Sequence, residues 1–350
     1  MKIGIPKEIK TLEGRVGLIP AACLPLVDAG HEVYIEKNAG ELSGYSDEDY
    51  IQAGVNILPD ASSLYGESEM IVKVKEPVEE ELNLLQSHHL LFSYLHLAAE
   101  QQLMQKLVDI GLTAVGFETV EENGLLPLLA PMSDIAGRLA AQIGTNLLHR
   151  PNGGKGLLLG GLPGAERGNV VIIGGGVVGS NAAIVAAGTG AMVTVFEQNR
   201  IKQESLRAIG PNVSALYPFP ELLAEAVERA DLLIGAVLIA GEKAPHVISR
   251  EMLKRMADGG VVVDVAVDQG GCIETTRPTT YAAPTYIEEG LVHFCVTNMP
   301  GAVPRSASQA LSASLLPFVL KLAQPDWREN SALLQGINVE KGGIIHPALK

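Results

Sequence analysis

The chain has 350 residues, 47% hydrophobic and 19% charged, with a formal net charge of −14. That length exceeds one ordinary core and points to two domains, and the composition excludes a disordered or fibrous chain. The negative charge argues against nucleic acid and anionic membrane as partners. The opening "MKIGIPKEIK" has no apolar signal core, and the run "LLIGAVLIAG" is too short to span a bilayer. A soluble, cytoplasmic protein is therefore expected. Cys23, Cys272 and Cys295 are odd in number and far apart. They suit neither a disulfide framework nor a metal site, and are expected as buried reduced thiols.

In chain order, "KIGIP", "EVYIEK", "MIVKVKEP", "LLFSYLHLA" and "LTAVGFETV" read as strands. Between them "LIPAACLPLVDAG", "SDEDYIQAG", "EEELNLLQ" and "AAEQQLMQKLVDIG" repeat apolar residues at helical spacing. Strand alternating with helix predicts a parallel sheet covered on both faces. Gly30 and Gly111 stand where helices should stop. "PMSDIAGRLAAQIGTNLLHR" predicts a long helix capped by Ser133, leading into a second domain. After a glycine-rich loop, "VVIIGGG", "AMVTVFE", "VSALY", "ADLLIGAVL", "GGVVVDVAV" and "LVHFCVTN" predict a second α/β domain. "SQALSASLLPFVLKLAQ" then reads as a helix with no strand after it, returning to the first domain. The expected fold is α/β, with two doubly wound parallel-sheet, Rossmann-like domains. Residues 1–128 plus 300–350 are expected to form one discontinuous domain, and 129–299 the other.

Gly174, Gly176 and Gly179 spell G-x-G-x-x-G between a strand and a helix, with Glu197 ending the next strand. Alone the pattern is weak; in that context it is strong. The first glycine allows a tight turn, the second a close approach of a pyrophosphate, the third close helix–strand packing. The helix start offers unpaired N–H groups. Glu197 would accept from the adenosine ribose hydroxyls and repel a 2′-phosphate, which favours NAD over NADP; Arg200 and Lys202 are the cations nearby.

Ligands of doubly wound sheets bind beyond the carboxyl ends of strands, so polar residues there are candidates. They are Arg15, Lys75 and His96 in the first domain, and Asp268 and Asn298 in the second, beside the apolar walls Val237 and Leu238. Singly, each has an ordinary structural explanation: ion pair, solvated strand end, satisfied histidine, turn former. Together, two cations, a histidine and a carboxylate suit a small keto or amino acid.

These stretches resemble the alanine dehydrogenase family, related to the NAD(H)-binding domain of proton-translocating transhydrogenase. The resemblance rests on "KIGIPKEIKTLEGRVGLIP", "MIVKVKEP", "YLHLA", "LLAPMSDIAGR", "VVIIGGGVVGSNAA", "ADLLIGAVLIAGEKAP", "DVAVDQGGCIETTRPTT" and "HFCVTNMPGAVPRSAS". It implies reversible NAD-dependent oxidative deamination of L-alanine to pyruvate and ammonium, in a homohexamer. It implies that Arg15 binds the substrate carboxylate, Lys75 contacts substrate, and His96 and Asp268 are the catalytic pair. Ser133 would bind cofactor and Asn298 line the nicotinamide pocket. The full candidate set for the cofactor is Ser133, Gly174, Gly176, Val177, Val178, Gly179, Glu197, Lys202, Val237, Leu238, Val265, Val267, Asp268, Arg277, Asn298 and Met299, with no metal. A same-fold dehydrogenase for another small acid, or a transhydrogenase component, remains the alternative.

Overall fold

The computed structural model describes residues 1–237 and 246–350. The chain divides into two compact units, Met1–Met132 with Val303–Lys350, and Ser133–Ala302.

In the first unit the strands are β1 (Lys2–Ile5), β2 (Glu32–Glu36), β3 (Asn56–Leu58), β4 (Met70–Val72), β5 (Leu90–Ser93) and β6 (Thr113–Gly116). In the second they are β7 (Asn169–Ile173), β8 (Met192–Phe196), β9 (Val213–Leu216), β10 (Leu232–Gly235), β11 (Val261–Asp264), β12 (Thr285–Glu288) and β13 (Leu291–Phe294). The chain then returns to the first unit with β14 (Ile337–Glu340) and β15 (Gly343–Ile344).

Among the described residues the first sheet has eight strands, ordered β15-β14-β6-β5-β4-β1-β2-β3, and the second has seven, ordered β12-β13-β11-β10-β7-β8-β9. The central strands are parallel in both. Sequences such as "VVII", "LLIG" and "VVVD" are apolar almost throughout because helices cover both faces. Ile71, Leu91 and Ala114 pack with Leu64, Leu103 and Leu107 in one core. Val171, Leu233 and Val262 pack with Leu223, Val227 and Leu253 in the other. All three cysteines are free and buried, and burial raises each thiol well above its ordinary value.

Several expectations are corrected. The sheets are mixed: β12 runs antiparallel to β13, and β14 antiparallel to both β6 and β15. Strands do follow the helix Pro304–Leu322, after a further short helix, Ser331–Gln335. "INVE" is short and carries a polar Asn338, so its strand character comes from its long-range partner β6. The predicted strands "MIVKVKEP", "LLFSYLHLA" and "GGVVVDVAV" are too long, since β4, β5 and β11 end at Val72, Ser93 and Asp264. Ser133 does not cap its helix. The helix Ala130–Leu147 starts three residues earlier, where Pro131 suits a first turn that has no use for its missing N–H. Gly111, at φ +79°, ends the helix Gln101–Ile110 as the sequence suggested.

In each sheet the chain order reverses beside the first strand: β1 lies between β2 and β4, and β7 between β8 and β10. The carboxyl ends there are level. Ile173 pairs with Phe196 and Gly235, and Gly235 with Asp264. No helix among the described residues is long and apolar enough to cross a membrane.

Candidate active site

In the first unit, three candidate side chains follow the carboxyl ends of β1, β4 and β5. Arg15 lies in the loop between β1 and the helix Pro20–Asp28 and is only 3% exposed. Glu13, equally buried, takes its Nε at 2.7 Å and Nη2 at 2.5 Å, and also its backbone N–H at 3.0 Å. Arg15 Nη1 reaches the Met132 Sδ at 3.2 Å. Burial alone would lower the guanidinium's affinity for its proton, but the bonds and charge of Glu13 outweigh it and raise the pKa. The loop is fixed from the helix Pro304–Leu322, where Ser308 Oγ accepts from Val16 N and Ser312 Oγ from Ile19 N, each at 3.0 Å.

Lys75 is half-buried. Burial pulls its ammonium below the ordinary lysine range; Glu76 opposes this and the charge of Arg15 adds to it. Its segment is held by Glu8, whose carboxylate accepts from Val74 N at 2.6 Å and Lys75 N at 3.3 Å. Lys73, 1% exposed, bridges Glu8 at 3.2 Å and Glu81 at 3.1 Å and donates to the Lys75 carbonyl at 2.9 Å. His96 is half-buried. Its ring stacks on buried Tyr94, with centroids 5.8 Å apart and planes at 11°. The Tyr94 hydroxyl donates to the Leu128 carbonyl at 2.5 Å.

The second unit presents backbone where the first presents charge. Gly174 has φ +97°, and a Cβ there would stand 2.7 Å from the Ala236 carbonyl. A Cβ on Gly179 would stand 1.8 Å from the Gly174 carbonyl. Among the described residues, a Cβ on Gly176 would meet nothing within 4 Å. Protein packing thus requires the outer two glycines but not the middle one, which opens the helix Val177–Gly188. An empty approach to a helix N-terminus fits a diphosphate. Val177 is 45% exposed there; Val178 is half-buried. The Glu197 carboxylate accepts from Gly175 N at 2.9 Å and Asn199 N at 2.8 Å. Val237 is half-buried beside Gly174; Leu238 lies outside the described residues.

Asp268 is exposed in a 3-10 turn, Val267–Gln269, four residues beyond the end of β11. Val265 is half-buried and Val267 is 3% exposed. Asn298 is half-buried just before the buried Met299, whose carbonyl accepts from Tyr281 Oη at 2.8 Å. Ser133 is half-buried in its helix. Lys202 is exposed on the helix Arg200–Arg207. Arg277 lies over the Tyr286 ring, 4.0 Å from its centroid.

Sequence reasoning passed over the carboxylates that hold these loops: Glu8, Glu13, Glu118 and Asp264. Asp264 is fully buried and accepts from Ala266 N at 3.0 Å, Cys272 N at 3.0 Å, Ile273 N at 3.3 Å and Thr276 Oγ1 at 2.7 Å. Burial raises its pKa, and these donors act against the rise. The available signal was an acidic residue closing an otherwise apolar run, as in "VVVD" and "VGFE". Among the described residues, no cluster of histidine, cysteine and acidic side chains is suited to a metal ion.

A family model described as alanine dehydrogenase/PNT, N-terminal domain, matches residues 4–136, and one for the C-terminal domain matches residues 140–347. The chain belongs to the alanine dehydrogenase/PNT family. It is 47% identical over 356 residues to an alanine dehydrogenase of Halomonas elongata, covering 100% of this chain and 96% of that one. It is 48% identical over 355 residues to an alanine dehydrogenase of Bacillus subtilis, covering 100% and 94%. A solved L-alanine dehydrogenase, 50% identical, superposes with a TM-score of 0.97 over 100% of this chain and 98% of that one. A transhydrogenase from Sinorhizobium meliloti shares the fold, at 23% identity and a TM-score of 0.87 over 99% and 100% of the two chains.

Proposed function

We propose that the chain is an NAD-dependent L-alanine dehydrogenase, interconverting L-alanine and water with pyruvate and ammonium. The observation that carries this is the grouping of two cations and a histidine past the carboxyl ends of β1, β4 and β5, in a family whose named relatives are alanine dehydrogenases.

Arg15 and Lys75 bind the substrate carboxylate. Glu13 orients the Arg15 guanidinium, and the Met132 thioether is a weak acceptor that a carboxylate displaces from Nη1. When bound, the nicotinamide supplies the acceptor for the hydride leaving the alanine Cα. His96 takes the proton from the water that adds to the resulting imine carbon, and in the reverse direction returns it. Asp268 assists the water and the departing nitrogen.

Gly176 and the following helix start receive the cofactor's pyrophosphate. Glu197, its carboxylate steadied by two backbone N–H groups, keeps lone pairs for the adenosine ribose hydroxyls and disfavours a 2′-phosphate. The remaining candidate contacts, from Ser133 to Met299, belong to the same reading. Homohexameric assembly and a cytoplasmic location follow from the family resemblance. Turnover of ammonium with pyruvate, glyoxylate and longer 2-oxo acids, with NADH and NADPH in parallel, tests it. Preference for pyruvate and NADH is expected; a preference for another oxo acid would replace the substrate, and equal use of NADPH would remove the role given to Glu197.

A further inference from the structure

His96 adopts φ +50°, the left-handed region that side chains other than glycine seldom enter. A strained turn persists only where its surroundings hold it. Here the holder is Glu118. The pairing of Ser93 with Gly116 across β5 and β6 brings Glu118, two residues past Gly116, beside the turn. Its Oε1 accepts from His96 N at 2.6 Å and from Leu95 N at 3.1 Å, and its Oε2 from Leu95 N at 3.2 Å.

Glu118 is itself fixed. It lies in the 3-10 turn Phe117–Thr119. Phe117 is fully buried, edge-on to Phe92 and to Tyr94 at 4.5 and 4.9 Å. Thr119 Oγ1 donates toward the Gly116 and Gly336 carbonyls at 3.0 and 3.1 Å. The buried Asn338 of β14 donates to Thr119 Oγ1 at 2.6 Å. The clamp therefore runs from β14 through Thr119 and Glu118 to the histidine's own amide.

We infer that Glu118 is a positioning residue for His96: its carboxylate selects the left-handed turn that places the imidazole. An ionised carboxylate receives two converging N–H groups without conflict, whereas an amide turns one of its own donors toward them. The inference rests on the proton-transfer role proposed for His96.

The test is a double-mutant cycle with a physical readout. Glu118→Gln should lower kcat about 10- to 100-fold, as misplacement of a reacting group does. The NADH dissociation constant and the KM for pyruvate should stay within about twofold. In a His96→Ala background the same substitution should cost nothing further. Amide hydrogen exchange in a peptide spanning residues 94–97 should become faster. If Glu118→Gln loses the native thermal transition, Glu118→Asp, which keeps the charge and shortens the reach, carries the same cycle.

An unchanged kcat, a loss confined to KM, or equal losses with and without His96 would each overturn the inference. Failure of the underlying reading looks different. The unmodified protein would then show no turnover with pyruvate and ammonium, while faster exchange in the variant would still report the clamp and unchanged exchange would overturn it as well.

Discussion

The two units solve a similar geometric problem with different materials. Each ends its central parallel strands level and bends the following loops with a carboxylate that receives backbone N–H groups. In the first unit Glu8, Glu13 and Glu118 hold the segments that carry Lys75, Arg15 and His96. In the second, Glu197 steadies the glycine loop and Asp264 gathers the loop that carries Asp268. The first unit thus presents two cations and a histidine, while the glycine loop of the second presents bare backbone. A small acid needs directed charge, and a long diphosphate-bearing cofactor needs room and N–H donors. The contrast shows how the residues that follow each strand give the same strand-end architecture either directed charge or open backbone.

The contrast is tested most severely by removing the proton-transferring side chain. His96→Ala should lower turnover about 100- to 10,000-fold, while NADH fluorescence titration shows binding intact. Retention of most of the turnover would take the histidine out of the mechanism. A paired glycine experiment separates packing from ligand approach in the second unit. Gly179→Ala forces a Cβ against the Gly174 carbonyl and should destabilise the fold by about 1–3 kcal/mol, seen as a lower thermal midpoint. Gly176→Ala places its Cβ where no packing neighbour among the described residues lies within 4 Å. Its midpoint should not move, yet NADH affinity should fall about tenfold, roughly 1.4 kcal/mol. Normal NADH affinity in Gly176→Ala would mean that the cofactor does not approach this glycine.

The smallest effect expected is a pH shift in the first unit. Only the protonated form of Lys75 pairs with a carboxylate. Because burial lowers its pKa from the ordinary 10.5, pyruvate affinity should decline with rising pH at a midpoint below that value. Lys75→Arg should move the decline upward, since arginine keeps its charge. A pyruvate affinity flat across that range in the unmodified protein would exclude Lys75 as a carboxylate partner.

The doubly wound architecture was legible because parallel strands buried on both faces read as unbroken apolar runs. Their ends were not. "MIVKVKEP" continues to alternate past Val72, and backbone bonds to the β5 segment continue there at Lys73 and Val74, but the Lys73 side chain is buried by pairing with Glu8 and Glu81. β14 escaped notice because its partner β6 is far away in the chain, and β15 because it is two residues long and pairs with β14. At the candidate site, Arg15, Lys75 and His96 could be singled out as polar residues following apolar runs. Of the carboxylates that hold them, Glu118 had only the faint signal of closing an apolar run, and Glu8 and Glu13 had none, because most of their partners are backbone N–H groups, which every residue but proline provides. The left-handed conformation of His96 had no local signal either, since no glycine or asparagine marks it.

The central claim is that the chain carries out the deamination of alanine, and one absorbance assay tests it most directly. Purified protein is mixed with NADH, pyruvate and ammonium, and NADH loss is followed with each component omitted in turn. The account predicts rapid loss that requires pyruvate and ammonium together. Absence of loss with pyruvate or any other 2-oxo acid, or loss that does not require ammonium, would contradict it.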